Sequence, residues 1–171
     1  MVTAAGLTTA RAIAAAVPDP ELPMVTVADL GILRDVAAEG DRLVVTITPT
    51  YSGCPALREI AHDLRRRLAA SGYAEVTVRT ALAPAWSSDW ITAEGRQKLR
   101  AAGIAPPHAA DRRRASGPVP LTLTGTRREP VACPRCGSAV TTQTATFGAT
   151  ACTALYRCES CREPFEYVKE I

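Results

Sequence analysis

Four cysteines near the C-terminus have the spacing of a metal site. Cys133-Pro134-Arg135-Cys136 is followed by Cys158-Glu159-Ser160-Cys161. Each CxxC pair closes a tight turn that offers two sulfurs to one ion, and the stretch between the pairs can hold a β-hairpin. Zinc takes four thiolates as a tetrahedron, and its binding energy can fold a module too small to hold a core of its own. With all four positions filled by protein, no place is left for a substrate, so the expected role is structural. Iron in the same cage would carry one electron instead, and ligand type alone does not separate the two metals.

Two further cysteines suggest other chemistry. Cys54 precedes Pro55 at the mouth of an amphipathic segment. This places the cysteine at the N-cap and the proline at the first helical position. Unpaired N–H groups and the helix dipole there favour thiolate over thiol. Cys54 therefore reads as a nucleophile or soft-metal ligand, against the alternative of a cysteine that only packs. Ser52-Gly53 allows a sharp turn that leaves the sulfur reachable. Asp19 and Glu21 flank Pro20 in a rigid turn. They could bind a metal or a basic group, or simply shape the turn, and Asp29 before Leu30-Gly31 has the same two readings. Cys152 reads either as a small buried residue or as a transient metal or cluster ligand beside the ribbon. His62 falls on a polar helix face and His108 in a tether. Neither completes a Ser/His/Asp or Cys/His constellation, and no glycine-rich phosphate loop is present.

The elements that position these residues follow from pattern. An Ala-rich helix is expected from about Thr9 to Val17, capped by Thr8 or Thr9 and stopped by Pro18. Ile32–Ala38 and Arg42–Thr48 read as a hairpin about Glu39-Gly40-Asp41. The second strand is taken as half-buried, with Leu43, Val45 and Ile47 inward and Val44, Thr46 and Thr48 outward. Leu57, Ile60, Ala61, Leu64 and Leu68 mark the apolar stripe of a helix from about Pro55 to Ala70. Glu75–Leu82 reads as a third strand, and Thr92 caps a helix ending near Ala102-Gly103. Trp86 and Trp90 bracket Ser87-Ser88-Asp89, a loop that either meets a protein partner or is buried on the sheet.

From Ala105 the composition turns to proline, small residues and the runs Arg112-Arg113-Arg114 and Arg127-Arg128, as in a tether. The resulting organisation is an α/β domain over 8–104, a linker over 105–131 and a four-cysteine ribbon over 132–171. The fold class is α+β: a small three-stranded sheet with packed helices, then a zinc-ribbon β module. A formal charge of +3 is too mild to imply nucleic acid, and the arginine runs read as a solvated tether. No signal peptide or membrane-length apolar run is read. With six cysteines, four of them in metal spacing, the chain suits the reducing cytoplasm.

Asp19-Pro20-Glu21, Asp29-Leu30-Gly31 and Thr50…Cys54-Pro55, in that order about a hairpin and helix, resemble the SufT-like domains of iron–sulfur cluster assembly. This likeness covers about residues 8–82. It implies that Cys54 is the reactive residue, with Asp19 and Glu21 near it. Longer strings extend the likeness over nearly the whole chain: 48–55, 84–91, Gly103-Ile104-Ala105-Pro106-Pro107, Cys-Pro-Arg-Cys-Gly, and Phe147 through Cys158. They resemble the PaaD components of bacterial phenylacetyl-CoA epoxidase systems. That resemblance implies an accessory role beside a di-iron oxygenase and a flavin iron–sulfur reductase, in which a metal centre of one of them is matured or maintained. Cys54, with Asp19 or Glu21 and with Cys152 as a further candidate, would transiently hold iron or a cluster. The rival readings are a structural adaptor that touches no metal and an electron carrier with an iron-loaded ribbon. The chain lacks the carboxylate and histidine set of a di-iron oxygenase site, so epoxidation by it alone is not expected.

Overall fold

The computed structural model describes residues 3–51, 53–108 and 130–170. They fall into two compact units that part between Ala102 and Gly103.

In the first unit, α1 (Ala4–Ala15) precedes a hairpin of β1 (Leu33–Glu39) and β2 (Arg42–Ile47). Then come α2 (Ala56–Ala70), β3 (Val76–Thr80), a single turn of 3-10 helix at Ser88–Trp90, and α3 (Ala93–Ala101). The sheet order is β1-β2-β3. β2 and β3 run parallel, which a tight turn cannot achieve, so α2 makes the crossover. α1 packs on β1 and α2, and α2 packs on β3. Ala56, Ile60, Leu64 and Leu68 are the buried stripe of α2.

Two local expectations change. Helix α1 begins at Ala4, where the Thr3 hydroxyl accepts from the Gly6 N–H at 3.1 Å. Thr8 and Thr9 lie inside it and donate back to the carbonyls of Ala4 and Ala5. An alanine-rich run propagates until a capping residue stops it, so the outermost threonine sets the start. Strand β2 is also not half-buried. Val44 and Thr48 are as hidden as Leu43, Val45 and Ile47, because β2 is the central strand and both its faces are covered.

The second unit is a four-stranded sheet of β4 (Ile104–Ala105), β5 (Thr141–Ala145), β6 (Thr153–Cys158) and β7 (Pro164–Val168), in the order β4-β7-β6-β5. Its core joins Phe165, Tyr167, Cys158 and Cys133 with Ala105 and Val131. Tyr156 stacks on Phe165 and meets Tyr167 edge-on. Ala105 and Val131 bound the stretch read as a linker, yet both belong to this core. The junction between units lies at Ala102-Gly103. Two strand residues are too few to show a period, which hides β4 from a sequence reading. The arginine runs at 112–114 and 127–128 lie outside the described residues. Where the stretch departs, Glu170 Oε1 accepts from Tyr167 Oη and lies near His108 Nδ1, both at 2.8 Å.

Candidate functional site

The second unit builds its cysteine cluster from two matching turns. In one, the Gly137 N–H donates to Cys133 O at 2.9 Å and the Cys133 N–H donates to Ser138 O at 2.9 Å. In the other, the Arg162 N–H donates to Cys158 O and the Cys158 N–H to Glu163 O, each at 3.0 Å. Gly137 and Arg162 hold the same place after the second cysteine of each turn, and both have positive φ, +76° and +67°. The hydroxyls of Ser138 and Ser160 meet across the two turns at 2.8 Å.

All four sulfurs lie within 4.8 Å of one another. Cys133 and Cys161 are 3.8 Å apart at sulfur, and Cys136 and Cys158 are 3.6 Å apart. A zinc–sulfur bond of about 2.3 Å separates tetrahedral sulfurs by about 3.8 Å, so the cage fits such an ion. The N–H of Cys161, with that of Ser160, holds the Cys158 thiol down to about 6. A sulfur already inclined to ionise is ready to coordinate. Among the described residues, Cys152 is not one of these four ligands. It is half-buried, its sulfur lies 3.0 Å from the Thr150 hydroxyl, and its carbonyl accepts from the Lys169 N–H.

The first unit sets Cys54 where β2 has ended and α2 is about to begin. The helix starts at Ala56 with Pro55 at the cap, so Cys54 lies one residue further out than expected. Its N–H donates to Tyr51 O, and Gly53 before it takes φ +93°. Ser52 lies outside the described residues. The sulfur is half-buried, and that burial is the main force pushing its thiol above the ordinary value. The Ala56 N–H pulls the other way, as do the Leu57 N–H and the Thr50 hydroxyl, while the charge of Glu21 adds to the rise. The net push is thus toward the thiol, opposite to the expected one. Dipole and amides act as predicted, but lost hydration outweighs them. Thr50 was visible in the sequence as a hydroxyl four residues before the cysteine, yet nothing there marked it as a sulfur partner.

Asp19 and Glu21 separate into different roles. Asp19 is buried, and its Oδ1 accepts from the N–H groups of Glu21 and Leu22 at 2.9 and 2.8 Å. Its own N–H donates to Val25 O. Asp19 thus ties the turn together. Glu21 is the member that faces Cys54 electrostatically. Burial, then the charge of Asp19, lifts its carboxyl above the usual range. Cys54 and Glu21 therefore each hold a proton more firmly than in water.

Asp29 resolves as structural. Its Oδ2 accepts from the Thr26 N–H and from Lys98 Nζ, at 2.8 and 2.9 Å. Gly31 has φ +68°, and a Cβ there would come within 2.6 Å of Trp90 Cβ. Only glycine satisfies both limits. The tryptophan loop is docked rather than free. Trp86 is buried and donates from Nε1 to Leu30 O at 2.8 Å, and Arg34 lies over Trp90. His62 is exposed on α2, as its place on the polar face implied.

Comparison with known proteins places both units. Residues 10–80 match the family model of an iron–sulfur cluster assembly protein, and residues 117–169 match the PaaD zinc beta ribbon domain. The chain is 44% identical over 153 residues to a protein of Escherichia coli (strain K12) provisionally named as the D component of 1,2-phenylacetyl-CoA epoxidase. The match covers 90% of this chain and 86% of that protein. This chain belongs to the PaaD family of phenylacetyl-CoA epoxidase components. The first unit alone has wider relatives. An Fe-S protein maturation auxiliary factor of Porphyromonas gingivalis (strain ATCC BAA-308 / W83) is 35% identical over 83 residues, which is 47% of this chain and 78% of that one. The crystal structure of a domain of unknown function, DUF59, from Bacillus anthracis aligns at 31% identity with a TM-score of 0.50. It covers 54% of this chain and 90% of that one. The PaaD family thus joins an assembly-type α+β unit to a four-cysteine ribbon. Among the described residues, no helix is long and apolar enough to cross a membrane.

Proposed function

We propose that this PaaD-family chain is a cytoplasmic accessory component of its epoxidase in aerobic phenylacetate degradation. It matures or maintains an iron–sulfur or di-iron centre of the oxygenase or its reductase. In this reading Cys54 receives iron or a cluster fragment as cargo, Glu21 supplies a second anionic ligand, and Asp19 holds the turn that presents Glu21. Thr50 and the amides of Ala56 and Leu57 steady the sulfur once its proton has left. The supporting observation is that the charge of Glu21 acts on the Cys54 thiol, which stands just before α2. A thiol and a carboxyl that each hold a proton firmly gain when one cation serves both. The ribbon cage suits zinc, with a structural role.

The test replaces Cys54 by Ser in the full chain, co-expressed with the oxygenase and reductase components. Iron and acid-labile sulfide in those components should fall, and epoxidation with them. Unchanged metal content and unchanged epoxidation would leave the adaptor reading in place. Metal analysis of the purified chain should give zinc and a colourless solution. A red, absorbing protein would instead favour an iron-loaded electron carrier.

A further inference from the structure

Helix α2 carries a line of basic side chains that the fold does not use. Arg58, His62 and Arg65 recur at helical spacing, away from the buried Ile60, Leu64 and Leu68, and all three are exposed. Among the described residues none of them has a carboxylate partner, and Arg65 bonds only to Ala61 O at 3.4 Å. Several other cations of this unit are matched. Arg11 pairs with Asp35, Arg42 with Glu75, Arg79 with Glu39, and Lys98 with Asp29 and Glu94. On α2 itself, Asp63 serves Arg66 and Arg67 on the adjoining flank. Arg58 also stands in the first turn, where the helix dipole disfavours a cation. Helix stability therefore does not account for it. An anionic surface laid over this turn would gain from the guanidinium and from the helix N-terminus together.

We propose that the Arg58–His62–Arg65 stripe docks an acidic face of a protein partner. The matching carboxylates would lie about 10 Å apart, the span of seven residues at a 1.5 Å rise. Two guanidiniums on one helix reach too few phosphates to hold a nucleic acid, and the formal charge of the chain is only +3. The proposal rests on the reading that this chain serves other epoxidase components, and it adds the face they meet. The stripe opens one turn beyond Cys54, so a docked partner is brought to the sulfur.

Full-length chain carrying Arg58→Glu and Arg65→Glu is titrated calorimetrically against the purified oxygenase and reductase components at low and at physiological salt. The Kd for one of them should weaken by about tenfold or more, with a shallower salt dependence. The melting temperature should hold or rise, since Glu suits the first turn. Arg58→Lys with Arg65→Lys should keep most of the binding. A parent chain that binds while the double Glu variant binds as well overturns the docking face and leaves the accessory role standing. Loss of affinity for single-stranded DNA or coenzyme A, with protein binding intact, overturns it too. A parent chain that binds no component sinks the accessory reading and the docking face together.

Discussion

The two cysteine sites of this molecule are held in opposite ways. In the ribbon, the backbone does the positioning: each CxxC turn is closed by two main-chain hydrogen bonds, and the sulfurs already stand at tetrahedral spacing. At Cys54, the backbone offers only a helix start, and the neighbours set the chemistry. Half-burial and Glu21 keep the proton on, while Thr50 and two amides favour its loss. A site meant to keep an ion forever benefits from four sulfurs and a rigid cage. In the proposed reading Cys54 must let its cargo go, which few ligands and a competing proton favour.

The sharpest way to break this contrast is to remove one ribbon sulfur. Cys158→Ser should abolish stoichiometric metal and, with it, the melting transition of the second unit. Structural zinc in small modules contributes on the order of 10 kcal/mol or more, far beyond what so small a core supplies. Elemental analysis with calorimetry reads this, and the transition of the first unit should persist. Asp19→Ala comes next. It strips the acceptor from two N–H groups, one of them buried, and should cost the first unit about 2 kcal/mol while leaving ribbon metal untouched. Urea unfolding followed by Trp86 fluorescence measures it.

A smaller effect with the opposite sign is expected at Arg162. Its φ of +67° is uncomfortable for a side chain, and Gly137 fills the matching place. Arg162→Gly should stabilise the metal-loaded ribbon by about 1 kcal/mol, reduced by any loss of the exposed pairing with Glu159. The finest test concerns the Cys54 proton. Alkylation should accelerate with pH and reach its midpoint above that of an ordinary thiol. Glu21→Gln removes a charge that raises the Cys54 value, so the midpoint should move to lower pH. A midpoint unmoved by this change would separate Glu21 from the sulfur.

Much of this was legible in the residues, and what was not has physical causes. The ribbon ligands were legible because a metal imposes short, rigid spacings on the chain. The stripe of α2 and the Thr92 cap of α3 were legible because helices repeat and their ends need partners; Thr92 Oγ1 does accept from the Gly95 N–H. Cys54 was placed near its helix, but the burial that pushes its thiol upward was not legible, since the dipole is a local property and burial is not. Asp29 and the tryptophans stayed ambiguous for the same reason: Lys98 and Leu30 are their partners only once the chain has folded back. Ile104–Ala105 could not be assigned to the ribbon because a two-residue strand has no pattern apart from the neighbour it pairs with.

The buried Asp29 decides where the first body ends. The assembly-type family segment stops at residue 80, yet the Lys98 ammonium and the Trp86 indole reach back from beyond it to Asp29 and Leu30. A chain trimmed at that border would lose the counter-ion of Asp29, the donor to Leu30 O and the cover that α3 lays over them. In this lineage the last turns before Ala102 are therefore masonry rather than ornament, and the smallest autonomous piece is longer than its wider kin would suggest.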